Sequence, residues 1–463
     1  MQKSNRVISI PIAIIFAALV LFSRWPGKDG EDIVSARANF KSVDPTDFWG
    51  GTSSLFYGKF INFPFDWQTN LIILQILMAT IAIILLARSQ NSVFNGTRKW
   101  IIYPMTLVIL SFASQTTRDG IQFSLILLGI STLIFTCRRK LSSLFKLKIF
   151  LSIVILTLGS TFRPWISLSV AILTLGIIFE YGLIDAVRFK KITTSVLLIL
   201  ITILPVSLEL LISNSTKLEK SYPEQQVMIM DLTAAYCWGT SSISGEISAN
   251  ALMLFSNERE TFLKKICQFY KGDSWVSITK NISPSSKGLT SDFKLISSNE
   301  KKTALKLRSY WLSYIINDPI TYLQNKLQFG TRVLIAGDSR NIRLFNAMTE
   351  KSRWNNKIIN TFKGIVFLPY DLCITFHFIS IAMVLGLWVA VFYRKIKIVS
   401  ANSLPKINFY LLFFLLSWWI LTTFTYIGNN GRYTYTATII TIIALYFDFS
   451  NQPTVNQSNR KRF

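Results

Sequence analysis

Residues 100–139 read WIIYPMTLVILSFASQTTRDGIQFSLILLGISTLIFTCRR, two apolar runs joined by a short polar turn and closed by two arginines. Coiled as a helix, the first run from Ile101 to Ser114 extends about 21 Å, against about 30 Å of bilayer hydrocarbon. The pair reads as a helical hairpin in a membrane, its charged turn (Arg118, Asp119) at one interface and Arg138 and Arg139 at the other. Outward from this hairpin the pattern repeats. With 51% hydrophobic residues and mean hydropathy +0.40, the chain is predicted to be an all-α polytopic membrane protein.

Apolar runs and their breakers predict about ten transmembrane helices, near residues 7–23, 69–87, 100–114, 120–137, 147–161, 165–181, 193–213, 372–393, 407–427 and 433–449. The first follows a basic start, MQKSNR, but is long and lacks a small-x-small cleavage site, so it reads as a retained span rather than a secretory signal. With both termini cytoplasmic, 20 of the 49 basic residues fall at cytoplasmic ends, among them Arg88, Arg138, Arg188 and Arg394. The short outer turns carry one Arg each: Arg118, Arg163 and Arg432. A net charge of +25 would point to nucleic acid in a soluble chain. Here membrane orientation accounts for it, and no nucleic-acid partner is expected.

The layout divides into a transmembrane module (1–213) with a first outer loop (24–68), a large extracytoplasmic segment (214–364) between spans seven and eight, a C-terminal transmembrane module (365–450) and a basic cytoplasmic tail (451–463). Residues 356–371 read as an interfacial helix ending near Pro369. An extra span there would turn YRKIK outward, against the charge rule. A multi-pass protein of the cell (inner) membrane is the expected setting.

Four cysteines do not make a disulfide framework, and only Cys237 and Cys267 fall in an extracytoplasmic region where one bridge could form. One His and no cluster of His, Cys and carboxylates argue against a zinc site.

The informative polar residues fall on the outer side. In KSVDPTDFWGGTSSLFYGKF, Asp44 reads as an N-cap with Pro45 at the first helical position. Asp47 would then project from an amphipathic helix carrying Phe48, Trp49, Leu55, Phe56 and Tyr57 along the bilayer surface. On this stretch alone, solvated capping is the better explanation of both carboxylates. A single Arg at an outer turn ordinarily snorkels to lipid head groups. Three beside one acidic loop point instead to a shared anionic ligand, since guanidinium forks suit phosphate.

At these residues the chain resembles the GT-C superfamily of multi-pass glycosyltransferases, which use polyprenyl-phosphate-linked sugars. The resemblance rests on layout and on the short patterns DFWGG…FPFDWQTNLIIL, TTRDGIQFSLILLG, FRPWISL, MDLTAAYCW, YWLSYIINDPITYLQNKL and GRYTY. It covers most of residues 1–340 and the final hairpin. The chain departs from many members in having about ten spans rather than eleven or more, and in lacking an adjacent Asp-Glu pair in the first loop.

The resemblance implies transfer of one sugar from a polyprenyl-phosphate donor to a glycan, lipid or protein acceptor at the outer membrane face. Asp47 would be the base, with Asp44 as substitute. Arg163 and Arg432 would clamp the phosphate, with Arg118 as a third cation oriented by Asp119. Asp231 would contact acceptor or sugar, and Tyr433 would stand beside Arg432. No cofactor is called for, although a divalent cation would be compatible. A polysaccharide polymerase or ligase acting on lipid-linked oligosaccharide is the nearest alternative. A lipid-linked sugar transporter or flippase is the next, and a non-enzymatic scaffold the last.

Overall fold

In a computed structural model, the described residues are 10–24, 51–60, 65–89, 97–115, 117–138, 144–181, 190–215, 224–239, 241–255, 300–335, 406–425 and 432–446, with single positions such as 37, 41 and 366. Every regular element among them is helical. Helices occupy nine of the ten ranges expected of spans; 372–393 lies outside the described residues apart from two positions, and 356–371 apart from Val366.

The elements are α1 (Ile10–Arg24), α2 (Gly51–Leu55, continued by a π turn, Phe56–Phe60), α3 (Trp67–Ser89), α4 (Thr97–Ala113), α5 (Arg118–Arg138), α6 (Phe145–Thr161), a 3₁₀ turn (Pro164–Ile166) leading into α7 (Ser167–Glu180), and α8 (Lys190–Ser215). Then follow α9 (Gln225–Trp238), α10 (Ser242–Leu252), α11 (Lys301–Asn317), α12 (Pro319–Ile335), α13 (Lys406–Thr425) and α14 (Arg432–Tyr446). Among the described residues, three helices are long and apolar enough to cross a membrane: α3, α5 and residues Thr194–Ser215 of α8. Parts of α1, α4, α7 and α13 are shorter apolar helices.

α5 packs between α3 and α6. A Cβ on Gly129 would stand 2.6 Å from the Leu156 side chain of α6, so only glycine allows so close an approach. α7 pairs with α13 in the opposite direction: Ser417 Oγ donates to Ser169 Oγ at 2.9 Å, and Trp418 meets Trp165 edge-to-face. The far end of α13 therefore lies at the Arg163 end of α7. The opposite end of the bundle is pinned by Arg138, which donates to Tyr181 Oη at 2.6 Å and to the Ser89 carbonyl at 2.8 Å, joining the C-terminal ends of α3, α5 and α7.

α8 is different. Val196, Ile199, Ile203, Leu210 and Leu211 are all exposed, and leaving such side chains in water costs roughly 1.5–3 kcal/mol each. Lipid is the solvent that removes the cost. A second apolar core lies in α9–α12, around Ile229, Leu232, Leu252, Leu307 and Tyr314. A Cys237–Cys267 disulfide closes it.

Candidate functional site at the outer turns

The TTRDG turn is built by capping. Thr117 stands before α5 and accepts the Gly120 N–H on its hydroxyl at 3.3 Å and on its carbonyl at 3.1 Å. This places Arg118 and Asp119 in the first helical turn, where a carboxylate is favoured by the helix dipole. A Cβ on Gly120 would meet the Gln115 carbonyl at 2.3 Å, so the turn closes only with glycine.

The FRPW turn brings the second cation. Pro164 opens the 3₁₀ turn and keeps Arg163 extended, with φ −148° and ψ 82°. Arg163 Nε then lies 2.8 Å from Asp119 Oδ1, and both side chains are more than nine-tenths buried. Two turns 44 residues apart in sequence thus share one ion pair. Asp119, expected to orient Arg118, pairs with Arg163, because the extended backbone before proline aims that side chain across the helix ends. Arg118, Asp119 and Arg163 together carry one formal positive charge.

The first outer loop closes over this corner. Tyr57 is fully buried and Phe162, beside Arg163, meets Phe56 edge-to-face at 5.4 Å. Leu71 and Ile121 complete the cluster. The expected helix lying along the bilayer surface is therefore corrected for its described part. It is short, and its aromatic residues pack into the protein, since a buried Tyr and Phe pair removes more apolar area from water than an interfacial one. Glu209 of α8 accepts the Thr52 N–H at 3.0 Å and so anchors the start of α2. Arg37 donates to the Tyr57 carbonyl at 3.3 Å and stacks over Trp67 at 5.3 Å. Asp44 and Asp47 lie outside the described residues, four or more positions before Gly51.

The FPFDWQTN pattern has a structural task. Asp66 accepts the Thr69 N–H and hydroxyl, both at 2.9 Å, as the N-cap of α3. Asn70 exchanges two hydrogen bonds with the Phe65 backbone, at 3.2 and 2.8 Å.

Asp231, expected at the acceptor or sugar, is held by protein partners. Its carboxylate lies 2.7 Å from Lys326 Nζ, and Trp311 Nε1 donates to it at 3.0 Å. Lys326 also donates to the Phe424 carbonyl at 3.0 Å, in the last turn of α13. Asp231 and Lys326 are withdrawn from solvent, and burial pushes the Asp231 carboxyl above its usual range against the opposing pull of Lys326 and Trp311. The pattern running through Trp311, Asp318 and Tyr322 is thereby explained by packing. Trp311 holds Asp231, and Tyr322 packs on Tyr314 and Phe424. Burial would raise the Asp318 carboxyl, but hydrogen bonds from Thr321, Ser241 and Ser244 hold it below its ordinary value.

Arg432 and Tyr433 open α14, which starts seven positions after the end of α13 and hence at the Arg163 end; their side chains lie outside the described ones. The sequence reading missed Lys326 and the anchoring role of Glu209. The signal for Lys326 was its place at helical spacing with Tyr322, Asn325 and Phe329, all on the buried face of α12.

Among the described residues no group of three or more His, Cys, Asp or Glu is placed to hold a metal. Neither a family model, nor a curated protein, nor a solved structure matches this chain.

Proposed function

We propose that the protein is a membrane glycosyltransferase of GT-C type, moving a sugar from a polyprenyl-phosphate carrier to a glycan, lipid or protein acceptor at the Arg163 end of the bundle. The observation that carries this reading is the convergence of Arg118, Asp119 and Arg163 from separate turns beneath the first outer loop. A buried guanidinium–carboxylate pair next in sequence to a second arginine brings two guanidinium forks to one corner. Such a group suits a phosphate that gains charge as the C1–O bond breaks.

The chemistry needs few parts. A base takes the proton of the acceptor hydroxyl while its oxygen attacks C1, and the carrier phosphate leaves with the bonding electrons. Asp47, with Asp44 as substitute, is assigned as base. Arg163 and Arg432 hold the leaving phosphate, with Arg118 as third cation. About ten spans, cytoplasmic termini and an inner-membrane location belong to the same reading, and the three long apolar helices support it in part.

Purified protein given a polyprenyl-phosphate sugar and an envelope-derived acceptor should release polyprenyl phosphate. Asp47→Asn should insert and fold normally but show no transfer; full activity in that variant would remove the base assignment. Mass spectrometry of the product separates single-sugar transfer from the polymerase or ligase alternative, which moves a whole oligosaccharide.

A further inference from the structure

We propose that the exposed face of the α11–α12 elbow is a lipid-docking surface, seated in the head-group layer of the bilayer at the Arg163 end. Its basic flanks take anionic phospholipid head groups. The inference is independent of the proposed reaction.

The depth of the elbow is set by α13. A Cβ on Gly330 would stand 2.7 Å from Thr423 Oγ1, Trp419 Nε1 donates to the Gly330 carbonyl at 3.2 Å, and Lys326 reaches the Phe424 carbonyl. α12 therefore crosses α13 in the final turns of an apolar helix that ends at Thr425. That is where a membrane helix meets the head groups.

The face that α12 turns away from the protein carries Ile320, Leu323 and Leu327, all exposed. Across the Asp318-Pro319 corner, α11 continues it with Leu305, Leu312 and Ile316. Ile316 is 75% exposed and Ile320 69%, more than Leu211 at 63% on the lipid-facing α8. At 100° per residue, Leu305, Leu312 and Ile316 form one narrow stripe on α11, with Arg308 and Lys301 on one flank and Lys302 and Lys306 on the other. An apolar stripe between two rows of cations is the pattern of a helix lying in a membrane interface: stems bury against acyl chains and charges reach phosphates. A solvated face has no use for the two isoleucines, and a neutral partner has none for the cations.

The test uses the full-length protein in nanodiscs of phosphatidylcholine, with or without phosphatidylglycerol, in a Cys137→Ala, Cys373→Ala background. Spin labels replace Ile316, Leu323 and, as a control on exposed α10, Asn250. Collisions with oxygen should exceed those with a water-soluble nickel chelate at Ile316 and Leu323, and the order should reverse at Asn250. Phosphatidylglycerol should drive the Ile316 label deeper, and K301Q/K302Q/K306Q/R308Q should abolish that difference. Nickel exceeding oxygen at both elbow positions would overturn the proposal in favour of a solvated face. Shielding from both reagents would overturn it in favour of a protein partner or a second copy. Equal depth in the two lipids would overturn the head-group assignment. Ile316 is so exposed that labelling it leaves the fold intact.

Discussion

Arg163 and Lys326 each neutralise a buried carboxylate, yet they lie at sites of different meaning. The Arg163–Asp119 pair joins two outer turns, and a second arginine, Arg118, is its neighbour in sequence. The Lys326–Asp231 pair is balanced and completed by Trp311 and a backbone carbonyl, which is a structural arrangement. Removing one partner of a buried pair typically costs about 3–5 kcal/mol, because the other charge is left without compensation. Arg163→Ala should therefore lower thermal stability in detergent by that order, and Arg163→Ala with Asp119→Ala should recover part of it. For Lys326→Met the sign of the pH dependence is fixed. Without Lys326 the Asp231 carboxyl rises further above its unfolded value of about 4, so the folded state binds a proton that the unfolded state releases. The variant should be closest to wild type near that pH and fall behind as pH rises toward 8, as read by unfolding midpoints across a pH series.

At the scale of elements, the turns explain more than the helices do. Thr117 caps α5, Asp66 caps α3 and Pro164 starts the turn into α7, and these three devices aim the polar groups at one corner. Their residue types were readable in TTRDG, FPFDW and FRPW. Their convergence was not, because which turn receives Asp119 depends on how α5, α6 and α7 pack. The helix ranges were legible because apolar runs and breakers are local. The burial of Tyr57 was not, since a Tyr among aromatics reads the same on a bilayer surface as in a core. Phe162→Ala should loosen that corner: loss of a buried aromatic costs about 3–5 kcal/mol, and limited proteolysis within 51–60 should speed up accordingly. Glu209→Gln should retain an acceptor for the Thr52 N–H and leave proteolysis unchanged, whereas Glu209→Leu should accelerate it.

On the scale of the whole molecule, three observations agree on one solvent arrangement. α8 exposes a continuous apolar face, α3 and α5 are long enough to span, and the polar pairs gather at one bundle end. Deleting the protein from its source cell should alter a surface glycan, lipid or protein by one sugar, as mass spectrometry of envelope fractions would read. An unchanged envelope would favour transport or a scaffold. The Arg138 pin at the other end bears on that choice. A carrier must part its helices alternately at both faces, like a revolving door. Here the C-terminal ends of three helices are stitched together through one guanidinium, so the bundle resembles a pair of tongs riveted at one tip. Opening at that end would first have to break both of the bonds that Arg138 makes.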